Sequence, residues 1–337
     1  MNTTIIIHKI YDYVYDYESL NKFRLCSKHL SMVVGKKYFL KKKIKESKIN
    51  NYNKKEFRNF VNKYNLSLNI IISDVKDMYK FLTYKINSIK FVGGCYRDYI
   101  DYGWIKSIDN FKYFTPCMIE TLDFSYINYT PLFKKNFYKN FPKLKKLVLN
   151  YSFNHPIKEN IFPSTLETLK FGHQFNNIIK VLPASLTKLV FGNGFNQKIN
   201  FLLPSKLRKL KFGDSFNNPI NVLPVTLKVL ILGSDFNKPI DHVLPPFLEK
   251  LICCYDFNQP LIMLPLTLKF LKLRRKFNNK LIIPESLEIL ELYELETNNF
   301  LKYIKLPSTL KIRYRGQSYD ITRKMDKGIA VFKKKRK

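Results

Sequence analysis

The dipeptide Phe-Asn returns seven times at almost constant spacing: Phe153-Asn154, Phe175-Asn176, Phe195-Asn196, Phe216-Asn217, Phe236-Asn237, Phe257-Asn258 and Phe277-Asn278. The steps are 22, 20, 21, 20, 21 and 20 residues. Leu-Pro or a close variant recurs in phase, at Phe162-Pro163, Leu182-Pro183, Leu203-Pro204, Leu223-Pro224, Leu244-Pro245, Leu264-Pro265, Ile283-Pro284 and Leu306-Pro307. After each of the first seven prolines comes an apolar signature of the form L-x-x-L-x-[FL]. It reads LETLKF from Leu166, LTKLVF from Leu186, LRKLKF from Leu207, LKVLIL from Leu227, LEKLIC from Leu248, LKFLKL from Leu268 and LEILEL from Leu287. Self-similarity at a fixed period of this length is the mark of a repeat architecture, in which each unit buries its apolar face only against its neighbours.

The alternation in Leu169-Lys170-Phe171 predicts a short strand with Leu169 and Phe171 on one face. Stacking such strands about 4.8 Å apart builds a parallel sheet over a continuous core. Each buried Phe or Leu contributes roughly 1.5–3 kcal/mol against the entropy of ordering the chain. About 20–22 residues per coil leave no room for a long helix, so the return path is expected as turns, extended segments or single 3₁₀ turns. The unit resembles a leucine-rich repeat, which implies a leucine-rich-repeat-like solenoid. The Phe side chains are expected in the core, and each Asn amide is expected to bond the next coil's backbone as a ladder. Weaker copies from Ile86, Ile119 and Leu144 extend the array upstream. At the other end Arg313 takes the next apolar slot after Leu310, which predicts a failed copy and a solenoid end near residue 315.

If the signature leucines point inward, the residues beside them form the open face of the sheet. Val190, Lys211, Val229, Ile231, Ile252, Phe270, Lys272 and Ile289 lie there, more apolar than an idle surface requires. Lysines among them predict an acidic protein partner, selected partly by charge.

Residues 1–45 read differently. Ile6, Ile10, Val14 and Tyr17 share a helical stripe, and Ser19 is placed to cap a second short helix carrying Leu20, Phe23 and Leu25. The run Ser19-Leu20 to Phe23-Arg24-Leu25-Cys26-Ser27-Lys28 is similar to the core of the F-box motif. The intact FNHPI, FNNPI and FNKPI copies resemble the FNIP repeat. Together they resemble F-box and FNIP-repeat proteins of amoebae and of giant viruses that infect amoebae. That resemblance implies a small helical F-box-like module, with Ile10, Leu20, Phe23 and Leu25 docking a Skp-type adaptor of a cullin-RING ubiquitin ligase, and a solenoid holding a substrate. The expected organisation is 1–45 F-box-like module, 46–85 joining region, 86–315 solenoid and 316–337 basic tail.

Composition narrows the function. The 337 residues hold 59 Lys+Arg against 26 Asp+Glu, a net charge of +33. Such a surplus suits nucleic acid, the rival partner class, but most of it is lysine and arginine is scarce, whereas bidentate phosphate and guanine contacts favour arginine. No nucleotide-binding glycine motif, no metal-ligand spacing among the five histidines and no nucleophile–base pair stands out, so neither enzyme activity, cofactor nor metal is expected. Five scattered cysteines, no long apolar run and no signal-like start predict an intracellular, cytoplasmic chain (host cytoplasm if viral) with no membrane contact. The closing Lys333-Lys334-Lys335-Arg336-Lys337 reads as a solvated end or a nuclear-import signal.

Overall fold

The computed structural model describes residues 44–45, 68–72, 86–92, 119–126, 141–157, 159, 161–199, 203–274, 277–293, 306–314, 317–326 and 329–334. The chain divides into two compact units, Met1–Leu147 and Val148–Lys337. The F-box-like module expected at 1–45 falls outside the described residues, including Ile10, Leu20, Phe23 and Leu25; within that range only Ile44–Lys45 are described, and they form strand β1.

In the first unit β1, β2 (Leu68–Ile72), β3 (Ile86–Val92) and β4 (Thr121–Tyr126) pair in sequence order, all parallel. Strand β2 falls inside the stretch expected as a joining region. Its Leu-Asn-Ile-Ile-Ile run has the β-branched bulk that suits a pleated surface but lacks the leucine signature, so a search for the repeat passes over it. Ile119, Leu122 and Phe124 are buried here, as are Phe141, Leu144 and Leu147. Strand β5 (Lys146–Val148) sits at the unit boundary.

The second unit contains the regular array. Strands β6 (Thr168–Lys170), β7 (Lys188–Val190), β8 (Lys209–Lys211), β9 (Val229–Ile231), β10 (Lys250–Ile252), β11 (Phe270–Leu273), β12 (Ile289–Leu292) and β13 (Lys311–Tyr314) form one parallel ladder. Parallel pairing falls on every leucine signature of the array, as a solenoid demands. Among the described residues there is no α-helix, and the return path holds turns and one 3₁₀ turn, Asp241–Val243.

Each coil turns at its proline: the Leu186 N–H donates to Pro183 O at 3.1 Å, and Leu207, Leu227, Leu248, Leu268 and Leu287 repeat the bond. The turn hydroxyls tie coils together, as where Thr226 Oγ1–H donates to Leu207 O at 2.9 Å. One carbonyl per coil then accepts two N–H groups of the next; Glu167 O takes those of Thr187 and Lys188 at 2.8 and 3.0 Å. Buried backbone groups are thus satisfied by the neighbouring coil, which is what locks the register.

The core is a set of columns. Leu169, Leu189, Leu210, Leu230, Leu251, Leu271 and Leu290 form the strand column, all fully buried. Phe175, Phe195, Phe216 and Phe236 continue through Phe257 to Phe277 as near-parallel rings with centroids 5.8–6.3 Å apart along that run, apart from smaller tilts at single steps. A second aromatic column, Phe171, Phe191 and Phe212, packs against the first at 4.0 Å within each coil. It then changes to Leu232, Cys253, Leu273 and Leu292, all buried.

Two features at the C-terminal end differ from expectation. The copy starting at Leu306-Pro307 does not fail: Ile312 is fully buried opposite Leu290. One residue fewer separates its turn from its strand, so Ile312 takes the inward slot and Arg313 falls on the open face opposite Glu291. Beyond Tyr314 the pairing turns antiparallel. Strands β14 (Gln317–Asp326) and β15 (Ile329–Lys334) fold back as a hairpin, so Lys333 and Lys334 of the basic block lie in a strand. The Ile-Ala-Val-Phe run of β15 gives it strand character that the lysine-rich ending conceals.

Candidate interaction surface

The registers place the non-leucine strand positions in two rows across the open face. One row runs Thr168, Lys188, Lys209, Val229, Lys250, Phe270, Ile289, Lys311. The other runs Lys170, Val190, Lys211, Ile231, Ile252, Lys272, Glu291, Arg313. Most of these side chains are half-buried, and Lys211 is exposed. All eight residues expected on this face from the sequence sit in these rows.

The rows divide the face into two blocks that the sequence pattern did not separate. Lys170, Lys188, Lys209 and Lys211 make a basic block over three coils. Val229, Ile231, Ile252, Phe270 and Ile289 make an apolar block over the next four. Lys250 interrupts the apolar block between Val229 and Phe270, its Nζ 4.2 Å from the centroid of the Phe270 ring, which keeps its charge against the apolar block. Lys272 is paired with Glu291, and both are largely covered. That lysine is therefore engaged within the chain, so the charge facing a partner comes mainly from the first block.

The turn after each strand supplies a polar rim. Tyr151 and His173 stack with centroids 4.6 Å apart. Asn193 Nδ2–H donates to Asp214 Oδ2 at 2.6 Å, and Ser234 Oγ–H donates to Asp214 Oδ1 at 2.9 Å. Cys254 lies beside this rim. Partial burial and Asp214 push its thiol up, while Arg274, Lys211 and Lys272 pull it down less strongly. Cys253, wholly buried, has its thiol pushed well up by desolvation. Both shifts favour the protonated, less nucleophilic form of the thiol. Among the described residues no cluster of His, Cys, Asp and Glu could hold a metal ion, and no helix is long and apolar enough to cross a membrane.

The Phe-Asn anchors are architectural in their geometry. The N–H groups of Asn176, Asn196, Asn217, Asn237, Asn258 and Asn278 each donate to the Oδ1 of the preceding anchor asparagine, at 2.8–3.0 Å. The next residue often adds a second bond, as Asn218 Nδ2–H does to Asn196 Oδ1 at 2.8 Å. Every anchor Phe from Phe153 to Phe277 is buried.

A parallel ladder with leucine and phenylalanine columns and a short non-helical return defines a leucine-rich-repeat-like solenoid, a class suited to protein–protein interaction. The FNIP Repeat family model matches residues 133–174, 175–215, 195–235, 216–256 and 236–276, so this stretch is similar to FNIP repeats. The chain is similar to the crystal structure of CroV588, described as a novel circular LRR protein, with 29% identity and a TM-score of 0.53. The likeness covers 74% of this chain and 43% of that one, so the chain spans less than half the length of CroV588. No curated protein matches the sequence.

Sequence reasoning passed over one surface. The turn positions around each Leu-Pro carry exposed Val222, Val225, Phe247, Met263, Leu266 and Ile282. The signal was present: the residue before the proline pair is apolar at Ile161, Val181, Val222, Val243, Met263 and Ile282.

Proposed function

We propose that this protein is a non-catalytic recruiting scaffold whose open sheet face holds an acidic protein partner. One observation carries the reading: strand register sets the basic block Lys170, Lys188, Lys209 and Lys211 directly beside the apolar block Val229, Ile231, Ile252, Phe270 and Ile289. The apolar block supplies the desolvation that holds a partner, and the lysines speed its approach and reject basic competitors. Nucleic acid fits less well, because half of the face would leave apolar side chains against phosphate.

The resemblance of residues 19–28 to an F-box supports a finer reading, in which the same protein acts in the cytoplasm as the substrate-recognition subunit of a cullin-RING ubiquitin ligase. Ile10, Leu20, Phe23 and Leu25 would then dock a Skp-type adaptor, and the solenoid would present the substrate.

The test is capture from cell lysate by wild type, by Ile231→Asp/Ile252→Asp and by Leu20→Asp/Phe23→Asp. The first double variant should lose the acidic partner and keep the adaptor; the second should do the reverse. An unchanged captured set for Ile231→Asp/Ile252→Asp removes the sheet-face reading. Absence of adaptor and cullin from the wild-type set removes the ubiquitin reading alone. Duplex DNA binding that weakens steeply with salt and is lost in Lys209→Glu/Lys211→Glu would favour the nucleic-acid alternative.

A further inference from the structure

The open face divides its free charge as well as its bulk. Across 167–173, 187–193 and 208–214 the charged residues other than histidine are Lys170, Lys188, Arg208, Lys209 and Lys211 against Glu167 and Asp214. Asp214 already accepts hydrogen bonds from Asn193 and Ser234. Lys170, Lys209 and Lys211 have no ion pair among the described residues. The later coils differ. Lys228 pairs with Glu249 at 2.5 Å, Lys269 with Glu288 at 3.4 Å and Lys272 with Glu291, while Lys250 lies over the Phe270 ring. Arg274 follows β11 near Cys254, on the polar rim and outside both rows. Positive charge is thus left open along β6–β8 and is largely answered within the chain along β9–β12, where the apolar block stands.

The strip that carries this division is narrow. Strands of three or four residues give it a width of about 10 Å, and the steps from β6 to β12 give it a length of about 30 Å. That is roughly 300 Å² in projection, against about 800 Å² on each side of a stable interface between folded proteins. A polar rim bounds the strip on the turn side, where Asn193, Asp214 and Ser234 bond one another. A folded domain would rest most of its contact on that rim. A single segment about 10–12 Å across covers the strip alone.

We propose that this strip holds one linear segment of a partner protein, lying across the strands, with an acidic end over β6–β8 and an apolar end over β9–β12. The inference rests on the sheet-face reading above and adds the occupant's form and order. Affinity comes from the apolar end, desolvated against Ile231, Ile252 and Phe270. The acidic end meets cations without a partner in the chain, so it displaces no internal carboxylate. An acidic end laid over β11–β12 would instead compete with Glu291 for Lys272, so the chain's own pairs fix the order. A uniformly charged polymer such as single-stranded nucleic acid suits the first half and sets its phosphates against apolar side chains in the second.

Selection of displayed random peptides on the full chain tests it. Peptides of about 20 residues span the strip whether they bind as a helix or extended. Enriched sequences should group Asp and Glu at one end and large apolar residues at the other. The best of them, made with a benzophenone photo-cross-linker at either end, should label 168–211 from its acidic end and 229–292 from its apolar end, read by mass spectrometry. Lys209→Glu/Lys211→Glu should weaken that peptide at least about tenfold, and replacing the peptide's carboxylates by amides should abolish the difference. Enriched sequences with charged and apolar residues interleaved, or cross-links in the opposite order, overturn the inference. So does the absence of any enriched peptide; if a folded acidic protein then still needs Ile231 and Ile252 for capture, the sheet-face reading survives without the segment. Peptides that bind a normally melting Ile231→Asp/Ile252→Asp as well as wild type remove both. Oligothymidylate of about 20 nucleotides that displaces the peptide at equal concentration overturns it in favour of nucleic acid.

Discussion

Asn196 shows what a repeat asks of one residue. Its Oδ1 accepts the N–H of Asn217 at 3.0 Å and Nδ2–H of Asn218 at 2.8 Å, while its own N–H donates to Asn176 Oδ1. Asn196→Ala removes the acceptor and should cost about 0.5–1.5 kcal/mol by chemical denaturation. Asn196→Asp keeps an acceptor oxygen and should cost less; an equal loss for both would show that the amide's donor side matters. Phe195, sealed between Phe175 and Phe216 and 4.0 Å from Phe191, should cost about 3–5 kcal/mol as Phe195→Ala. Gly213 is limited by space: a Cβ there would fall 1.8 Å from Gly192 O, a backbone atom with nowhere to go. Gly213→Ala should therefore destabilise by more than Asn196→Ala, although it adds one methyl group. Cys254 occupies the corresponding position two coils later, so that close approach does not persist along the array. The raised thiols set another outcome: at pH 7 iodoacetamide should label Cys254 slowly and Cys253 only on unfolding, followed by mass spectrometry.

At the scale of the strand, the inward positions were legible because burial dictates them. Leu169, Leu210 and Leu251 admit no polar substitute, so their period survives in the sequence. The two-block division of the open face was not legible, because it depends on register: Lys209 neighbours Val229 only once β8 and β9 are aligned. The final copy was misread for a related reason. Counting residues put Arg313 inward, whereas the ladder fixes Ile312 opposite Leu290, and the step from Leu310 to the strand is shortened by one residue while the turn at Pro307 is kept. Strands β14 and β15 carry no leucine signature, and composition alone spoke for a solvated end. The face itself offers a measurable contrast. Lys209→Glu/Lys211→Glu in β8 should change stability by less than about 0.5 kcal/mol, since surface charges contribute little, yet should slow association with an acidic partner at least tenfold. Glu291→Gln should act the other way, releasing Lys272 from its pair and tightening the same complex about two- to five-fold.

At the scale of the whole molecule, charge sets how stability depends on pH. With 59 Lys+Arg and 26 Asp+Glu, the carboxylates are what moderate self-repulsion. Glu249 illustrates the sign: the hydrogen bond from Lys228 holds its carboxyl below the usual range. A group whose folded value is depressed stabilises fully above its unfolded value, and that contribution is lost as pH falls through the folded value. Acidification also raises the chain's net positive charge, and with it the self-repulsion of the compact state. The melting temperature should therefore fall steadily between about pH 5 and pH 3, the range where carboxylates titrate. Salt separates the two contributions. Screening relieves long-range repulsion, so 0.5 M sodium chloride should raise the melting temperature more at about pH 4 than at pH 7. The exposed Lys228–Glu249 pair is itself weakened by the same salt. Glu249→Gln should flatten only a small part of the acid limb, the part that belongs to that pair. A melting temperature that rises on acidification, or that salt lowers equally at both pH values, would mean that local ion pairs outweigh the net charge in holding the coils together.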